Sequence, residues 1–259
     1  MRFMFVGDVV GRPGRNAVVE LVPELRQSLR LDAVVVNCEN AARGRGVTIE
    51  IAEAMLAAGV DVLTGGNHIW AFREIAGYME RQPRLVRPAN YPNAPGRGAY
   101  RFALTDGRSL GVVQVEGRVF MRNLDCPFER AAEELEGLGE CTATLLDVHC
   151  EATSEKQALG WHFDGKFSAV IGSHTHVQTA DERVLTEGTA FLTDAGMTGP
   201  YDSVIGMRTD SAVKRFLTQR SEGHHVATDN VWLCGAVVET DDETGRAVSI
   251  ERVKQEWYP

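Results

Sequence analysis

The stretch Phe167-Ser-Ala-Val-Ile-Gly-Ser-His174-Thr-His176 joins a short apolar run to two histidines that follow it directly. Such a run predicts a buried β-strand, and the histidine pair lies where that strand becomes a loop. Open α/β sheets build their functional sites at these strand ends. The stretch therefore predicts an α/β protein in which one strand carries two imidazoles into a site.

Four other apolar runs of the chain end in or beside residues that bind metal ions. These runs are residues 1–8, 32–40, 60–68 and 142–149. A sixth run, residues 189–196, ends in glycine-rich sequence and offers no obvious ligand. Strands that aim at one edge of a sheet would bring their last residues together. The candidate metal ligands at that edge are Asp8, Glu39, Asn67, His149, His174 and His176.

Between the strands, the apolar residues of 18–29 and 51–56 change to helical spacing. The resulting β-α-β-α order predicts a layered α/β sandwich, and no linker divides the chain, so residues 1–259 are expected to form one domain. Near the C-terminus, residues 231–240 and 247–253 flank the sequence Asp-Asp-Glu-Thr-Gly. This pattern predicts an antiparallel hairpin, and we expect it to belong to a second sheet.

The composition narrows the class of partner. The 36 acidic and 27 basic residues give a net charge of −9, which would repel a long phosphate backbone. A small phosphorylated substrate therefore fits better than extended nucleic acid. No run approaches the roughly 18 apolar residues of a membrane span, and the first strand begins too early for a signal peptide, which predicts a cytoplasmic protein.

The six ligands also indicate a class of chemistry. Two carboxylates, an amide oxygen and three imidazoles suit borderline divalent ions such as manganese, iron or zinc. One ion rarely needs six protein ligands, whereas a carboxylate that bridges two ions about 3.5 to 4 Å apart explains the number. Such ion pairs promote in-line displacement at phosphorus by a bridging hydroxide. The ligand set therefore predicts a dinuclear phosphoester hydrolase.

The motifs around these ligands resemble those of the calcineurin-like metallophosphoesterases. The matching segments are Gly7-Asp8-Val-Val-Gly-Arg-Pro-Gly, Asn37-Cys-Glu39-Asn40-Ala-Ala, Gly66-Asn67-His68, the lone His149, and His174-Thr-His176-Val-Gln-Thr-Ala-Asp. Two positions depart from the usual pattern: Val10 replaces the first histidine, and Glu39 replaces the bridging aspartate. With these departures the chain is similar to the YmdB-like branch of bacterial phosphodiesterases, and the resemblance covers nearly the whole chain.

This resemblance implies an αββα sandwich of two central mixed sheets flanked by helices. It also implies a dinuclear centre that often holds iron or manganese, hydrolysis of 2′,3′-cyclic nucleotides to nucleoside monophosphates, and a possible homo-oligomer. Carried over residue by residue, one ion would take Asp8, Glu39 and His176, and the other would take Glu39, Asn67, His149 and His174.

Four further positions follow from the same resemblance or from the sequence around it. Asn40 would fill the space of the missing histidine, as a metal ligand or as a phosphate contact. His68 would protonate the leaving oxygen as general acid, or would orient a ligand or a phosphate oxygen. The loop arginines Arg43 and Arg45 can steer a phosphate or lie solvated.

Three alternative functions use the same residues. A phosphomonoesterase or a nuclease would share the two ions, because metal ligands fix the reaction class and the pocket fixes the substrate. A nuclease would need a basic groove to hold its substrate. A regulatory nucleotide-binding protein would keep the metals mainly for structure, although structural metal sites are normally closed by four ligands.

Overall fold

The computed structural model describes residues 1–220, 223 and 225–258. Its strands are β1 (Arg2–Val6), β2 (Asp8–Val9), β3 (Ala33–Asn37), β4 (Val62–Thr64), β5 (Leu85–Val86), β6 (Ala99–Ala103), β7 (Ser109–Glu116), β8 (Ala143–His149), β9 (Ala169–Ser173), β10 (Arg183–Val184), β11 (Ala190–Leu192), β12 (Met197–Pro200), β13 (Val231–Thr240) and β14 (Ala247–Trp257). Its helices are α1 (Gly11–Ser28), α2 (Ile49–Ala57), α3 (Glu74–Arg81), α4 (Pro127–Leu138), α5 (Thr153–His162) and α6 (Thr209–Thr218).

The first sheet has the strand order β2-β12-β13-β1-β3-β4-β5, with β14 paired to β13. Strands β1, β3, β4 and β5 are parallel, and β13 runs antiparallel to β1. The predicted C-terminal hairpin forms, but its assignment to a second sheet is wrong, because Ala236 of β13 pairs with Phe5 of β1. The hairpin therefore extends the first sheet beside its N-terminal strand.

The second sheet has the strand order β10-β11-β9-β8-β7-β6. Strands β7, β8, β9 and β11 are parallel, and the edge strands β6 and β10 are antiparallel to their neighbours. Parallel strands need crossover connections, and α4 and α5 provide them before and after β8. Both sheets are mixed, as the resemblance implied.

Side chains alternate along the strands and divide each sheet into two faces. Phe3 and Phe5 of β1 point between the sheets and share a buried cluster with Leu145 of β8. Burial of each phenylalanine side chain stabilises the fold by about 1.5 to 3 kcal/mol. Met4 points to the outer face and joins residues of α1, α2 and α3, while Leu146 joins residues of α4 and α5. These layers confirm the predicted αββα sandwich.

The described helices include none that is long and apolar enough to cross a membrane. Strands β3 and β4 of one sheet and β8 and β9 of the other are parallel within their sheets and continue into loops at their C-terminal ends. Those loops carry most of the residues that the sequence singled out. The fold therefore creates one edge at which residues from both sheets can meet.

Candidate metal centre

Glu39, two residues beyond the end of β3, lies at the middle of the cluster and is fully buried. Its Oε1 lies 3.2 Å from Nε2 of His149, the last residue of β8. Its Oε2 accepts a hydrogen bond of 2.8 Å from the backbone N–H of His68. Gly66 leaves room for this carboxylate, since a Cβ at that position would lie 2.2 Å from Oε2. The backbone thus fixes one oxygen of Glu39 while the other faces an imidazole.

His149 and His174 face each other through ring nitrogens. Nδ1 of His174 lies 3.1 Å from Nε2 of His149, and Oδ1 of Asn67 lies 3.0 Å from the same Nε2. The opposite nitrogens have other partners, since Nδ1 of His149 lies 2.9 Å from Oγ of Ser173 and Nε2 of His174 lies 3.2 Å from Oε2 of Glu151. These partners leave two ring nitrogens directed at one point, which is the arrangement of paired metal ligands.

Asp8 and His176 form the other side of the cluster. Oδ2 of Asp8 accepts a hydrogen bond of 2.9 Å from the backbone N–H of His174. Its Oδ1 is buried without a hydrogen-bond partner and lies 3.8 Å from Nε2 of His176. Nδ1 of His176 lies 2.9 Å from the carbonyl oxygen of Ile205, so this nitrogen carries the proton and Nε2 keeps its lone pair. An unpaired carboxylate oxygen and a ring lone pair therefore face the same space.

Asn40 links this cluster to His68. The Asn40 side-chain nitrogen Nδ2 donates to Glu39 Oε1 at 2.9 Å and lies 3.1 Å from Nε2 of His176. Its Oδ1 lies 2.8 Å from Nδ1 of His68. Rotation of the amide by a half-turn would present the oxygen to the cluster and the nitrogen to His68. Asn40 thus lies where both roles considered for it, ligand and polar contact, are sterically possible.

Burial and neighbouring charges shift the pKa values of the clustered residues in opposite directions. Burial raises the pKa of Asp8 above its ordinary value. Burial would also raise the pKa of Glu39, but the imidazoles of His149 and His68 hold it well below its usual range. For His149, burial would lower the pKa, and the neighbouring carboxylates raise it to about 10. Burial and the charge of His149 lower the pKa of His174 to about 3. The carboxylates therefore require a nearby positive charge, which a protonated His149 or a metal cation can supply.

These donors fit a divalent metal ion. One ligand atom from each of Glu39, His149 and His174 lies within 4.8 Å of the other two. The unpaired Oδ1 of Asp8 adds a donor whose burial costs free energy unless a cation or a hydrogen-bond donor faces it. Oxygen and imidazole donors in this combination are the ligands of manganese, iron and zinc. All eight predicted site residues, including Asn40 and His68, thus lie in one connected cluster.

The buried carboxylate of Asp147, which the sequence reasoning missed, supports His149 through the hydroxyl of Ser173. Oγ of Ser173, which contacts His149 Nδ1, donates to Asp147 Oδ1 at 2.6 Å. Asp147 is fully buried between the sheets. Its two oxygens accept hydrogen bonds from four side chains of both sheets: Asn37, Thr64, Gln114 and Ser173. This network fixes the hydroxyl that orients the imidazole.

Asp194 was also missed, although it ends the sixth apolar run. Its Oδ2 accepts hydrogen bonds from the backbone N–H and the hydroxyl of Thr175, at 3.1 and 2.8 Å. Thr175 lies between His174 and His176, whose φ angles of 96° and 65° fall in the left-handed region. That conformation costs a non-glycine residue about 1 to 2 kcal/mol. Asp194 therefore anchors a strained loop that presents two candidate ligands.

Glu116 ends β7 directly beside His149 in the strand register. Tyr91 donates a hydrogen bond of 2.7 Å to its Oε2, while its Oε1 is buried without a partner, and burial raises the pKa of this carboxyl. The sequence signal for both Glu116 and Asp194 is a carboxylate at or near the end of an apolar run.

Comparison with known proteins agrees with this geometry. The family profile described as YmdB-like protein matches residues 4–253. The chain is 46% identical to the 2′,3′-cyclic-nucleotide 2′-phosphodiesterase of Bacillus subtilis, covering 98% of this chain and 96% of that protein. A solved structure described as a hypothetical protein of Thermus thermophilus superposes with a TM-score of 0.92 at 41% identity, covering 99% of both chains.

A solved structure described as a novel phosphatase of Mycoplasma pneumoniae also superposes with a TM-score of 0.92. It is 30% identical and covers 99% of this chain and 93% of its own. The matches extend over nearly the full length of the relatives and confirm the resemblance seen in the motifs. The chain belongs to the YmdB-like protein family.

Proposed function

We propose that this protein is a metal-dependent phosphodiesterase that hydrolyses 2′,3′-cyclic nucleotides to nucleoside monophosphates. The observation that carries the proposal is the buried convergence of Glu39, His149 and His174 opposite the unpaired oxygen of Asp8. The Bacillus relative named as a 2′,3′-cyclic-nucleotide 2′-phosphodiesterase supports the substrate class, since nearly the whole of both chains is matched at 46% identity.

In this proposal, one metal ion is held by Asp8, Glu39 and His176, and a second by Glu39, Asn67, His149 and His174. Glu39 is assigned the shared position because it lies between the two groups, with Oε1 near His149 and Asn40. Asn40 is a further candidate ligand beside His176. When bound, the metals would supply positive charge for the phosphate oxygens and lower the pKa of a water that attacks phosphorus.

His68 is the proposed general acid. Its Nδ1 lies 2.8 Å from Asn40 Oδ1 and 3.3 Å from Glu39 Oε1, and two oxygen acceptors favour a proton on that nitrogen. In the imidazolium form Nε2 carries the second proton, which it would give to the ribose oxygen as one P–O bond of the cyclic phosphate breaks. The side chain is 31% exposed, whereas His149 is fully buried, so His68 can reach a bound substrate.

Several finer features of the proposal come from the sequence. The oxygen and nitrogen ligand set suits manganese, iron or zinc, and the family resemblance favours iron or manganese among them. Residues 1–259 are proposed to act as one metallophosphoesterase domain, which the buried cluster shared by the two sheets supports. A cytoplasmic location and assembly into a homo-oligomer remain predictions. The protein is also predicted to bind a small phosphorylated substrate and not a membrane surface.

The test is hydrolysis of 2′,3′-cyclic AMP, 3′,5′-cyclic AMP and p-nitrophenyl phosphate by protein reconstituted with Mn²⁺, Fe²⁺ or Zn²⁺. We expect selective turnover of the 2′,3′ ring with loss of activity in Glu39→Gln at retained folding. Turnover of the monoester alone would favour a phosphomonoesterase. No turnover with any metal, combined with unfolding of the Glu39→Gln protein, would favour a regulatory protein with structural metals.

A further inference from the structure

A groove of about 900 Å³ runs between the first turns of α1 and α2 and the segments around residues 208 and 225–228. Four arginines and one carboxylate residue line it: Arg12, Arg15, Arg43, Arg208 and Glu50. This local excess of positive charge contrasts with the net charge of −9 of the whole chain. The groove is therefore a basic site on an otherwise acidic protein.

Three of these arginines are available for a ligand. Arg208 forms an ion pair of 2.7 Å with Asp210. By contrast, Arg12, Arg15 and Arg43 form no ion pair and no side-chain hydrogen bond within the part of the chain that the structure describes. The first turn of α1 also contains no acidic residue. Three guanidinium groups without a partner among the described residues form a surface suited to phosphate oxygens.

The groove is built partly on the loops that carry residues of the candidate metal centre. Helix α1 begins three residues after Asp8, and Arg43 follows Asn40 by three residues, so its Cα lies within about 11 Å of that residue. The backbone N–H of Gly11 donates to the carbonyl oxygen of Asn40 at 2.9 Å, which joins the two loops. Val226, which lines the groove, packs over Gly11. The groove and the candidate metal centre thus share the loops that carry Asp8 and Asn40.

One aromatic side chain completes the groove. Phe72, partly exposed, lies among the lining residues beside the basic ones. Sites for single-stranded nucleic acid combine a positively charged groove, which follows the backbone, with aromatic rings on which bases stack. The partly buried Thr48 and Asn16 add polar side chains suited to ribose hydroxyls. This composition fits a nucleotide chain better than an isolated inorganic anion.

We propose that the groove binds the nucleotides that precede a 2′,3′-cyclic phosphate at the 3′ end of a short oligoribonucleotide. The inference rests on the proposed function, because the cyclic end would occupy the metal centre. Arg12, Arg15 and Arg43 bind the preceding phosphodiesters, and Phe72 stacks on a base. The substrate class then includes RNA ends as well as mononucleotides, which refines the expectation that the acidic net charge favours a small phosphorylated substrate over extended nucleic acid.

The experiment compares three ligands on the metal-loaded protein. These are 2′,3′-cyclic AMP, a tetraribonucleotide with a 2′,3′-cyclic phosphate end, and the same tetraribonucleotide with a 3′-hydroxyl end. Hydrolysis is measured for the first two, and fluorescence anisotropy measures binding of both labelled tetranucleotides over a range of salt. The variants are Arg12→Ala, Arg15→Ala and their combination, with Arg81→Ala, exposed at the end of α3, as control for the lost charge.

For the cyclic tetranucleotide we expect a KM at least about fivefold below that of 2′,3′-cyclic AMP. Each groove variant should raise the KM for the tetranucleotide by a similar factor. The salt slope of binding should fall by about 0.7 for each lost phosphate contact. KM for 2′,3′-cyclic AMP should stay unchanged in all variants. The hydroxyl-ended tetranucleotide should bind with the same dependence on Arg12 and Arg15, since the groove does not contact the cyclic end.

Equal KM values for the two substrates would overturn the inference. Tetranucleotide binding that Arg12→Ala and Arg15→Ala leave unaltered would overturn it as well. In either case, hydrolysis of 2′,3′-cyclic AMP would still support the proposed function. The hydroxyl-ended tetranucleotide should also compete with the cyclic-ended one. If it binds without inhibiting hydrolysis of the cyclic-ended tetranucleotide, the inference is overturned, because the groove would then hold a separate ligand. Loss of all hydrolysis in the wild type would refute the proposed function, and the anisotropy measurements would still decide whether the groove binds RNA.

Discussion

Nζ of Lys156 lies 2.6 Å from Oδ2 of Asp194, and both side chains are almost completely buried. The same Oδ2 holds the backbone and hydroxyl of Thr175, between the two histidines of the His-x-His motif. The ion pair therefore connects α5 to the loop that presents two candidate ligands. Its second function, besides stability, is to hold a left-handed backbone in place.

Substitution Lys156→Met should destabilise the protein by about 3 to 5 kcal/mol, because it leaves the buried charge of Asp194 without a partner. Urea unfolding measures this loss, and atomic absorption on the folded protein should show reduced metal content. The double variant Lys156→Met, Asp194→Asn is the control. It should recover part of the lost stability because no uncompensated charge remains, and equal stability of the single and double variants would contradict the explanation.

Removal of the Ser173 hydroxyl should weaken metal binding. Ser173→Ala deprives Nδ1 of His149 of the partner that orients the ring, and such supporting groups contribute about 10- to 100-fold in metal affinity. Competition with a chelator measures the affinity. Ser168→Ala is the matched control. This buried hydroxyl lies on the residue that precedes β9, about 16 Å from Ser173 along the strand, and accepts a hydrogen bond from the Thr144 N–H.

Both serine variants should lose about 1 kcal/mol of unfolding free energy, because each breaks buried hydrogen bonds. Only Ser173→Ala should lose metal affinity. An equal loss of affinity in Ser168→Ala would mean that general destabilisation, rather than orientation of His149, controls metal binding.

Gly66 is a position where one added methyl group should disrupt the centre. A Cβ there would lie 2.2 Å from Glu39 Oε2 and 2.6 Å from His149 Nε2. Gly66→Ala must therefore displace both groups, and a displacement near 1 Å reduces activity by about a hundredfold. Gly137→Ala in α4 is the control, because a Cβ there meets no atom within 4 Å. It should raise stability by about 0.5 to 1 kcal/mol without changing the activity.

The sequence predicted most of the fold, and the clustering of the candidate ligands, for a definite physical reason. Strands buried on both faces appear as continuous apolar runs, and their C-terminal ends meet at one edge. The runs before Glu39 and His149 have this form. The partner strand of the C-terminal hairpin could not be predicted, because the apolar, almost continuously buried sequence of Val231–Thr240 reports burial and not which strand lies alongside.

Supporting residues were harder to predict than ligands. Asp147 lies inside a strand, and only the packing of the two sheets shows that donors from both reach its carboxylate. The sequence left Arg43 open between steering a phosphate and being solvated, because a free guanidinium and a paired one look alike in sequence. The distinction between a solvated charge and a binding groove depends on neighbours that lie far apart along the chain, such as Arg12 and Arg208.

The role of His68 predicts a dependence on the leaving group. His68→Ala should reduce turnover of 2′,3′-cyclic AMP by about 10² to 10⁴, because the ribose alkoxide needs a proton as the P–O bond breaks. Turnover of bis(p-nitrophenyl) phosphate should fall by less than about tenfold, since p-nitrophenolate leaves without one. Metal content should be unchanged, because the His68 side chain contacts Asn40 and Glu39 without being assigned as a ligand. His162→Ala, exposed at the end of α5, serves as control, and equal losses on both substrates would assign His68 to ligand orientation instead.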